Sequence, residues 1–479
     1  MTDDQVILVV GILLMTGVVA VAVADRLQVP AFALCMIAGM AIGSDGAGLL
    51  LFHDHLTAQR IGMACVALIL FEGGWRSNVS ELRFVWGAAT RLAIPGTVVT
   101  ALAAGTVIAL LLRRPIVEAL LIGAILAPTD GPAVFGLLRR IGLDRRLSRT
   151  LEAEAGLNDP VAILLVISLV SWMQHSGGQL SDIVVLFGRD LLLGLLTGLL
   201  VGIAGAAAFR GRWVPFAGLY AVASVALAAL AFGAAQTLHG SGLLAVYVAG
   251  LVLGHCARKS HGSTTTFQHG LVSLADVALF LTLGLIVAPS QLELAAPEGL
   301  AIALIVAVIA RPLAVFAMIG GETFSQPERL LLSWAGLRGA MPLILATIPI
   351  TQGVPNGLGY FNLVFVVVLA SAALQGSTIQ QLTRVLGLSA APASLPEALS
   401  DAEVSPGGVL EATYPVSPAS DVIGRLARDL HLPTGAGLSV IVRAGAAFAP
   451  SNSTRVRLGD VLHFRVATEL AEVLDAHLA

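Results

Sequence analysis

The chain has 479 residues, of which 57% are hydrophobic and only 12% charged, with a formal net charge of −3. This balance lies far from that of soluble domains and leaves one class, a polytopic membrane protein lying in lipid. It carries no signature of nucleic-acid binding, and the three cysteines (Cys35, Cys65 and Cys256) fall in apolar segments without metal-ligand spacing, so they read as packing residues.

The N-terminus, "MTDDQ", is acidic, and the apolar stretch from Val6 to Ala24 is long for a signal peptide and lacks a basic start, which predicts an uncleaved first helix. Hydropathy then predicts about thirteen spans, at 5–24, 31–50, 58–73, 85–112, 115–138, 149–174, 183–209, 214–237, 242–257, 268–288, 297–320, 328–352 and 359–384. Basic residues give the orientation. With the N-terminus outside, Arg26, Arg76, Arg83, the cluster Arg139, Arg140, Arg145, Arg146 and Arg149, then Arg210, Arg212, Arg258, Lys259 and Arg329 all fall inside. Arg60, Arg113, Arg114 and Arg189 fall outside, as does the acidic loop "PSQLELAAPEG", and an odd number of spans leaves the C-terminus in the cytoplasm. From residue 387 the composition changes to the Pro/Ala/Ser/Gly linker "GLSAAPASLPEALSDAEVSPGG". The expected domains are therefore a transmembrane unit over 1–386, a linker over 387–404 and a small α/β module over 405–479. In that module "VLEATYPV" and "GDVLHFRVA" read as strands, "GLSVIVRAG" with "AAFAP" as a hairpin, and "ASDVIGRLARDLHL" and "ELAEVLDAHL" as helices.

Two spans are broken. "APTDGP", residues 127 to 132, interrupts the fifth, and "GLRGAMP", residues 336 to 342, interrupts the twelfth. Proline removes a helix donor, glycine favours unwinding, and a charge at mid-bilayer costs a few kcal/mol, so each break needs a compensating use. The two lie seven spans apart, as they would if a linking helix joined a six-span repeat to its inverted copy, and paired broken helices of this kind point to a transporter's substrate site. Asp130 suits the positive N-terminal end of a half-helix and Arg338 the negative C-terminal end. In "EAEAGLNDPVAILLV", Asp159 falls near mid-depth of the sixth span, beside the amide oxygen of Asn158, and Thr129 offers a hydroxyl and a carbonyl. Hard oxygen ligands suit Na⁺ or K⁺, while the lack of a His or Cys cluster argues against a transition metal and no cofactor is expected. One buried carboxylate binds a cation or a proton but not both, which suffices for electroneutral exchange. Glu154 is expected to pair with Arg338 as a structural ion pair. Glu72, Arg311 and Asp276 are further buried ionisable candidates, whereas Arg91, Arg189 and Glu118 read as span-end residues that reach the interface.

These residues resemble the NhaP-type branch of the monovalent cation:proton antiporters, in the bacterial K⁺/H⁺ antiporter group. "APTDGPAV" is similar to the family's Thr-Asp break, "EAEAGLNDP" to its Glu…Asn-Asp element and "GLRGAMP" to its Gly-Arg-Gly break, with "FEGG" at 71–74 and "ARP" at 310–312 adding weaker support. The resemblance implies an all-α polytopic fold of inverted repeats with two broken crossing helices. It also implies a homodimer, a core that moves like an elevator against a dimerisation scaffold, an ion site at Asp159 with Thr129 nearby, and the Glu154–Arg338 pair. Asn158 in place of a second aspartate matches the electroneutral branch, while Ala155 departs from the serine many relatives carry and removes a side-chain ligand. The C-terminal module resembles the RCK-C (TrkA-C) domain through "GRLARDLHLPTGAGLSVIVRAG" and "TRVRLGDVLHFRVA", which implies a small-molecule regulator. The leading expectation is thus a K⁺/H⁺ antiporter of the bacterial inner membrane, with K⁺, Na⁺ and H⁺ as candidate substrates and membrane lipid as its surroundings. A Na⁺-selective exchanger stays open, as do an organic-anion carrier built on Arg338 and Arg311 and a membrane sensor.

Overall fold

The computed structural model describes residues 3–27, 29–50, 52, 54–77, 79–130, 143, 145–174, 180–210, 217–257, 262–320, 324–388, 404–405, 409–416, 420, 422–430, 432, 436–443, 446–448, 450–451 and 454–467. It divides into two compact units, Met1–Leu388 and Ser389–Ala479.

The first unit is helical. Its helices are α1 (Asp3–Leu27), α2 (Ala31–Ile42), α3 (His55–Arg76), α4 (Val79–Arg91), α5 (Thr97–Leu112), α6 (Ile116–Ile125), α7 (Arg145–Gln174), α8 (Leu180–Arg210), α9 (Ala217–Thr237) and α10 (Gly242–Ala257). They continue with α11 (Gly262–Leu285), α12 (Pro289–Leu304), α13 (Arg311–Met318), α14 (Gln326–Trp334), α15 (Ala340–Thr351), α16 (Gly357–Ser371) and α17 (Ser377–Val385). Wider π-helical turns at Leu92–Gly96, Ile305–Ala310 and Ala372–Gly376 join α4 to α5, α12 to α13 and α16 to α17 into single long helices. Among the described residues nine helices are long and apolar enough to cross a membrane, and four shorter apolar helices accompany them. Large apolar side chains such as Leu8, Met15, Leu110 and Leu200 stay exposed, as they must on a surface that faces acyl chains rather than water. Between helices the packing relies on small residues. A Cβ on Gly74 would meet the Tyr247 carbonyl and one on Gly250 the Phe71 carbonyl, so α3 and α10 touch backbone to backbone.

The structure corrects three expectations. The second span ends as a helix at Ile42 rather than 50, because the run "GSDGAG" over 43–48 turns the chain. The acidic stretch expected as a loop is helical from Pro289, since proline at the first helical position loses no hydrogen bond and arrives with a helical φ. In the second unit, "ASDVIGRLARDLHL" makes no α-helix among its described residues, only a 3-10 turn at Ala427–Leu430. Its backbone is committed sideways: Gly424 and Ala427 donate to the carbonyls of Val456 and Thr454, Val456 donates back to Arg425, and Gly424 has a φ of +82°.

That second unit holds an antiparallel five-stranded sheet in the order β1 (Val404–Ser405), β2 (Val409–Pro415), β5 (Val461–Ala467), β3 (Ala436–Arg443), β4 (Ala446–Phe448). The β3–β4 hairpin pairs Ile441 with Phe448 and Arg443 with Ala446. Tyr414, Val422, Ile441, Val456, Leu462 and Phe464 are buried. Arg443 grips Asp460 with two bonds of 2.7 Å, and Asp460 also accepts from the Arg457 N–H at 2.8 Å. The helix expected at "ELAEVLDAHL" and most of the linker lie outside the described residues.

Candidate functional site

A helix ends at each of the expected breaks. α6 stops at Ile125 and residues 126–130 are irregular; α14 stops at Trp334 and α15 begins at Ala340. The second half of the fifth span lies outside the described residues. The two breaks meet. The Asp130 N–H donates to the Leu337 carbonyl at 2.9 Å, and the Ala340 N–H, at the start of α15, donates to Asp130 Oδ2 at 3.0 Å. A carboxylate thus sits at the positive end of the half-helix from the other break. In return, Arg338 Nη1 donates to the carbonyls of Ala127 at 3.1 Å and Pro128 at 2.7 Å, just past the negative end of α6. Each break supplies the charge that the other's helix end calls for. Gly339 makes the crossing possible, because a Cβ there would overlap the Asp130 carboxylate.

α7 passes beside this crossing and carries the remaining groups. Asn158 (0% exposed) donates from Nδ2 to Thr129 Oγ1 at 2.8 Å, which turns its carbonyl oxygen the other way. Asn158 Oδ1 and Asp159 Oδ1 are both buried and have no hydrogen-bond partner among the described residues. Two orphaned acceptors in a buried place are costly unless something positive satisfies them. Ala155, one turn before Asp159 on the same helix, contributes no ligand atom.

The expected Glu154–Arg338 pair is not formed. Glu154 is held by Arg311, with Nη1 to Oε1 at 2.5 Å and Nη2 to Oε2 at 2.8 Å, and both residues are essentially inaccessible. Arg338 is already engaged with carbonyls at the break, whereas Arg311, at the first turn of α13 after a π-helical turn, presents its planar fork to the carboxylate. The motif "ARP" was the available signal. Glu72 lies at the end of α3, 3.2 Å from Arg76 and 3.5 Å from His269 Nδ1. Asp276 lies on α11, within electrostatic reach of Cys35, Cys65, Asp130 and Glu72. Of the residues assigned to span ends, Arg91 and Arg189 are exposed and Glu118 lies 3.6 Å from Arg114.

A cavity of about 870 Å³ opens between α3, α7, α9 and α15. Gln59, Gln174, Gln236 and Gln352 line it at helix ends, and Met63, Ala67, Phe232 and Ile344 form apolar walls. Ile163, one turn beyond Asp159 on α7, belongs to that wall; Asp159 itself does not.

Residues 10–385 match the family model described as sodium/hydrogen exchanger, transmembrane. The chain belongs to this family of exchangers. It is 33% identical over 453 residues to the K(+)/H(+) antiporter NhaP2 of Shewanella sp. (strain ANA-3), covering 92% of this chain and 77% of the relative. It is 32% identical over 474 residues to the K(+)/H(+) antiporter NhaP of Alkalimonas amylolytica, covering 98% and 82%. The Na(+)/H(+) antiporter NhaH of Halobacillus dabanensis is 29% identical over 312 residues, covering 62% of this chain and 75% of that one. The fold matches the sodium proton antiporter MjNhaP1 of Methanocaldococcus jannaschii at pH 8, with a TM-score of 0.68, 24% identity, and coverage of 81% of this chain and 99% of that one. The protein is therefore a multi-pass membrane antiporter that exchanges a monovalent cation for protons, a transporter rather than an enzyme.

Proposed function

We propose that this exchanger carries K⁺ against H⁺ by competition at Asp159. The observation that carries the reading is the pair of orphaned acceptors on α7, Asn158 Oδ1 and Asp159 Oδ1, both buried, with the Asn158 amide bonded to Thr129 in the first break. A cation bound there gains oxygen ligands and neutralises the carboxylate; a proton on Asp159 neutralises it equally well and leaves no place for the cation. One charge exchanged for one makes the cycle electroneutral. Asn158, neutral in both forms, adds a ligand without a second charge. Asp130 and Arg338 compensate the helix ends, and Glu154 with Arg311 is a structural pair that keeps a second carboxylate out of the competition. K⁺ is favoured over Na⁺ by the relatives named as K(+)/H(+) antiporters, which align over more of this chain than the one named for Na(+).

The same reading has the chain work as a homodimer in the bacterial inner membrane, N-terminus outside and C-terminus in the cytoplasm. Its transmembrane unit spans 1–386, a linker runs over 387–404, and an RCK-C-like module over 405–479 takes a small-molecule regulator. The sheet of the second unit supports a folded module rather than a tail.

The test is proton release from acidified inside-out vesicles on adding KCl, NaCl or choline chloride, with the wild type and Asp159→Asn side by side. KCl is expected to collapse the gradient in wild-type vesicles alone. Equal responses in the mutant, or a response to choline, would overturn the assignment of Asp159.

A further inference from the structure

Gln375 and Ser371 lie one turn apart where α16 passes through a π-helical turn into α17, and both are nearly inaccessible, at 3% and 4% exposure. Polar side chains in such a place must find partners within the protein. Theirs are at the second break. Gln375 Nε2 donates to the Trp334 carbonyl, at the last residue of α14, at 2.9 Å. Ser371 Oγ donates to Gln375 Oε1 at 2.6 Å and accepts from the backbone N–H of Arg338 at 3.1 Å. These three bonds satisfy an orphan carbonyl at the end of one half-helix and an orphan N–H in the break itself. They also fix the amide orientation of Gln375, since its oxygen faces a donor and its nitrogen an acceptor.

From there the bonds continue. The same Arg338 whose N–H rests on Ser371 donates its guanidinium to the carbonyls of Ala127 and Pro128. The next residue, Thr129, accepts from Asn158, which adjoins Asp159. We infer that Ser371 and Gln375 are positioning residues for the cation site, setting the place of Arg338 and through it the peptide segment that carries Thr129. The inference rests on the reading of Asp159 as the competition site. The π-helical turn fits this role: such turns arise where a helix gives up regular bonding to aim a side chain, often at functional sites. Because α17 is the last helix of the transmembrane unit, a shift of this helix is read at the site through the same three bonds.

The test compares apparent cation affinity and the pH profile of exchange in vesicles for Gln375→Leu, Ser371→Ala and Asn362→Leu. Asn362 is the control. It is buried on α16 and donates to Gln291 Oε1 at 2.8 Å, one lost bond of the same kind that leads to no part of the site. Gln375→Leu and Ser371→Ala should each weaken apparent K⁺ affinity by about tenfold and move the pH profile with it, and the double variant should be little worse than either single one. Asn362→Leu should leave affinity and profile unchanged. Should Gln375→Leu fail to accumulate, Gln375→Met keeps the length of the side chain and loses both of its bonds, so the same effect is expected. Unchanged affinity in both Gln375→Met and Ser371→Ala, or an equal effect of Asn362→Leu, would overturn the inference. Wild type and Asp159→Asn run in parallel separate the two ideas: exchange that survives Asp159→Asn refutes the competition site, while exchange that Asp159→Asn abolishes but Gln375 and Ser371 variants leave untouched refutes only the positioning role.

Discussion

A buried carboxylate has two routes to neutrality, a cation or a proton, and the proposed competition has Asp159 use both in turn. The ion pair nearby is a different case. Arg311→Leu leaves Glu154 buried and uncompensated, and should cost about 3–5 kcal/mol of stability. Replacing both partners by apolar residues should recover most of it. Melting temperatures in detergent distinguish the outcomes; equal losses in single and double variants would speak against a compensated pair. Arg338→Ala has a contrasting signature, because it strands carbonyls and not a carboxylate. It should weaken apparent cation affinity by about tenfold, the scale of losing a charge-assisted hydrogen bond, while lowering the melting temperature less than Arg311→Leu does. That Thr129, Asn158 and Asp159 are buried was legible in the sequence, because all three fall inside apolar runs. The partner of Glu154 was not. Two buried arginines were available, and the decision lies in three dimensions, where the break's own carbonyls occupy Arg338.

At the level of helices, the crossing of the two breaks depends on a side chain that is missing. Gly339 abuts the Asp130 carboxylate so closely that any Cβ must displace it. Gly339→Ala should therefore lower exchange by at least about tenfold with helix content by circular dichroism unchanged, since the strain falls on the break and not on the spans. Wild-type exchange in that variant would mean the crossing tolerates a wider gap. The breaks themselves were readable, because proline, glycine and charge within an apolar run contradict a helix by three independent routes. The other misreadings at this scale share a cause. "PSQLELAAPEG" looked like a loop because it is polar and proline-containing, yet Pro289 opens a helix at its first position and Pro297 is carried inside that helix. "ASDVIGRLARDLHL" has helical spacing, but its backbone groups find better partners in the adjacent segment ending at Val456. Local pattern sets a preference; non-local hydrogen bonds decide it.

At the scale of the whole molecule, the chain consists of an exchanger and a small β-sheet unit that follows its last helix. Deleting 389–479 should change the rate or pH dependence of exchange while leaving the ranking of K⁺ and Na⁺ intact, since every group at the site lies before residue 389. A changed ranking would assign selectivity to the second unit. That unit has its own acid-sensitive joint. The hydrogen bonds from the Arg443 side chain hold the Asp460 carboxyl below the usual carboxylate range. The pair therefore stabilises the fold above the pKa of the unfolded chain, and this contribution is lost as pH falls through the lower folded value. Limited proteolysis of the full-length protein from about pH 6 down to pH 3 should reveal acid opening of the second unit, with Asp460→Asn already loosened at neutral pH and flatter in its response. Cleavage independent of pH in both would contradict the pair's role.

Competition at one carboxylate is tested most directly by proton release on cation binding. Purified protein in detergent, in weakly buffered solution on the acid side of its pH profile, is titrated with KCl and the pH followed, with Asp159→Asn beside it. Wild type is predicted to release about one proton per bound cation, its apparent affinity weakening about tenfold for each pH unit on the acid side, and the mutant none. Cation binding without proton release, or release that persists in Asp159→Asn, would contradict competition at this residue.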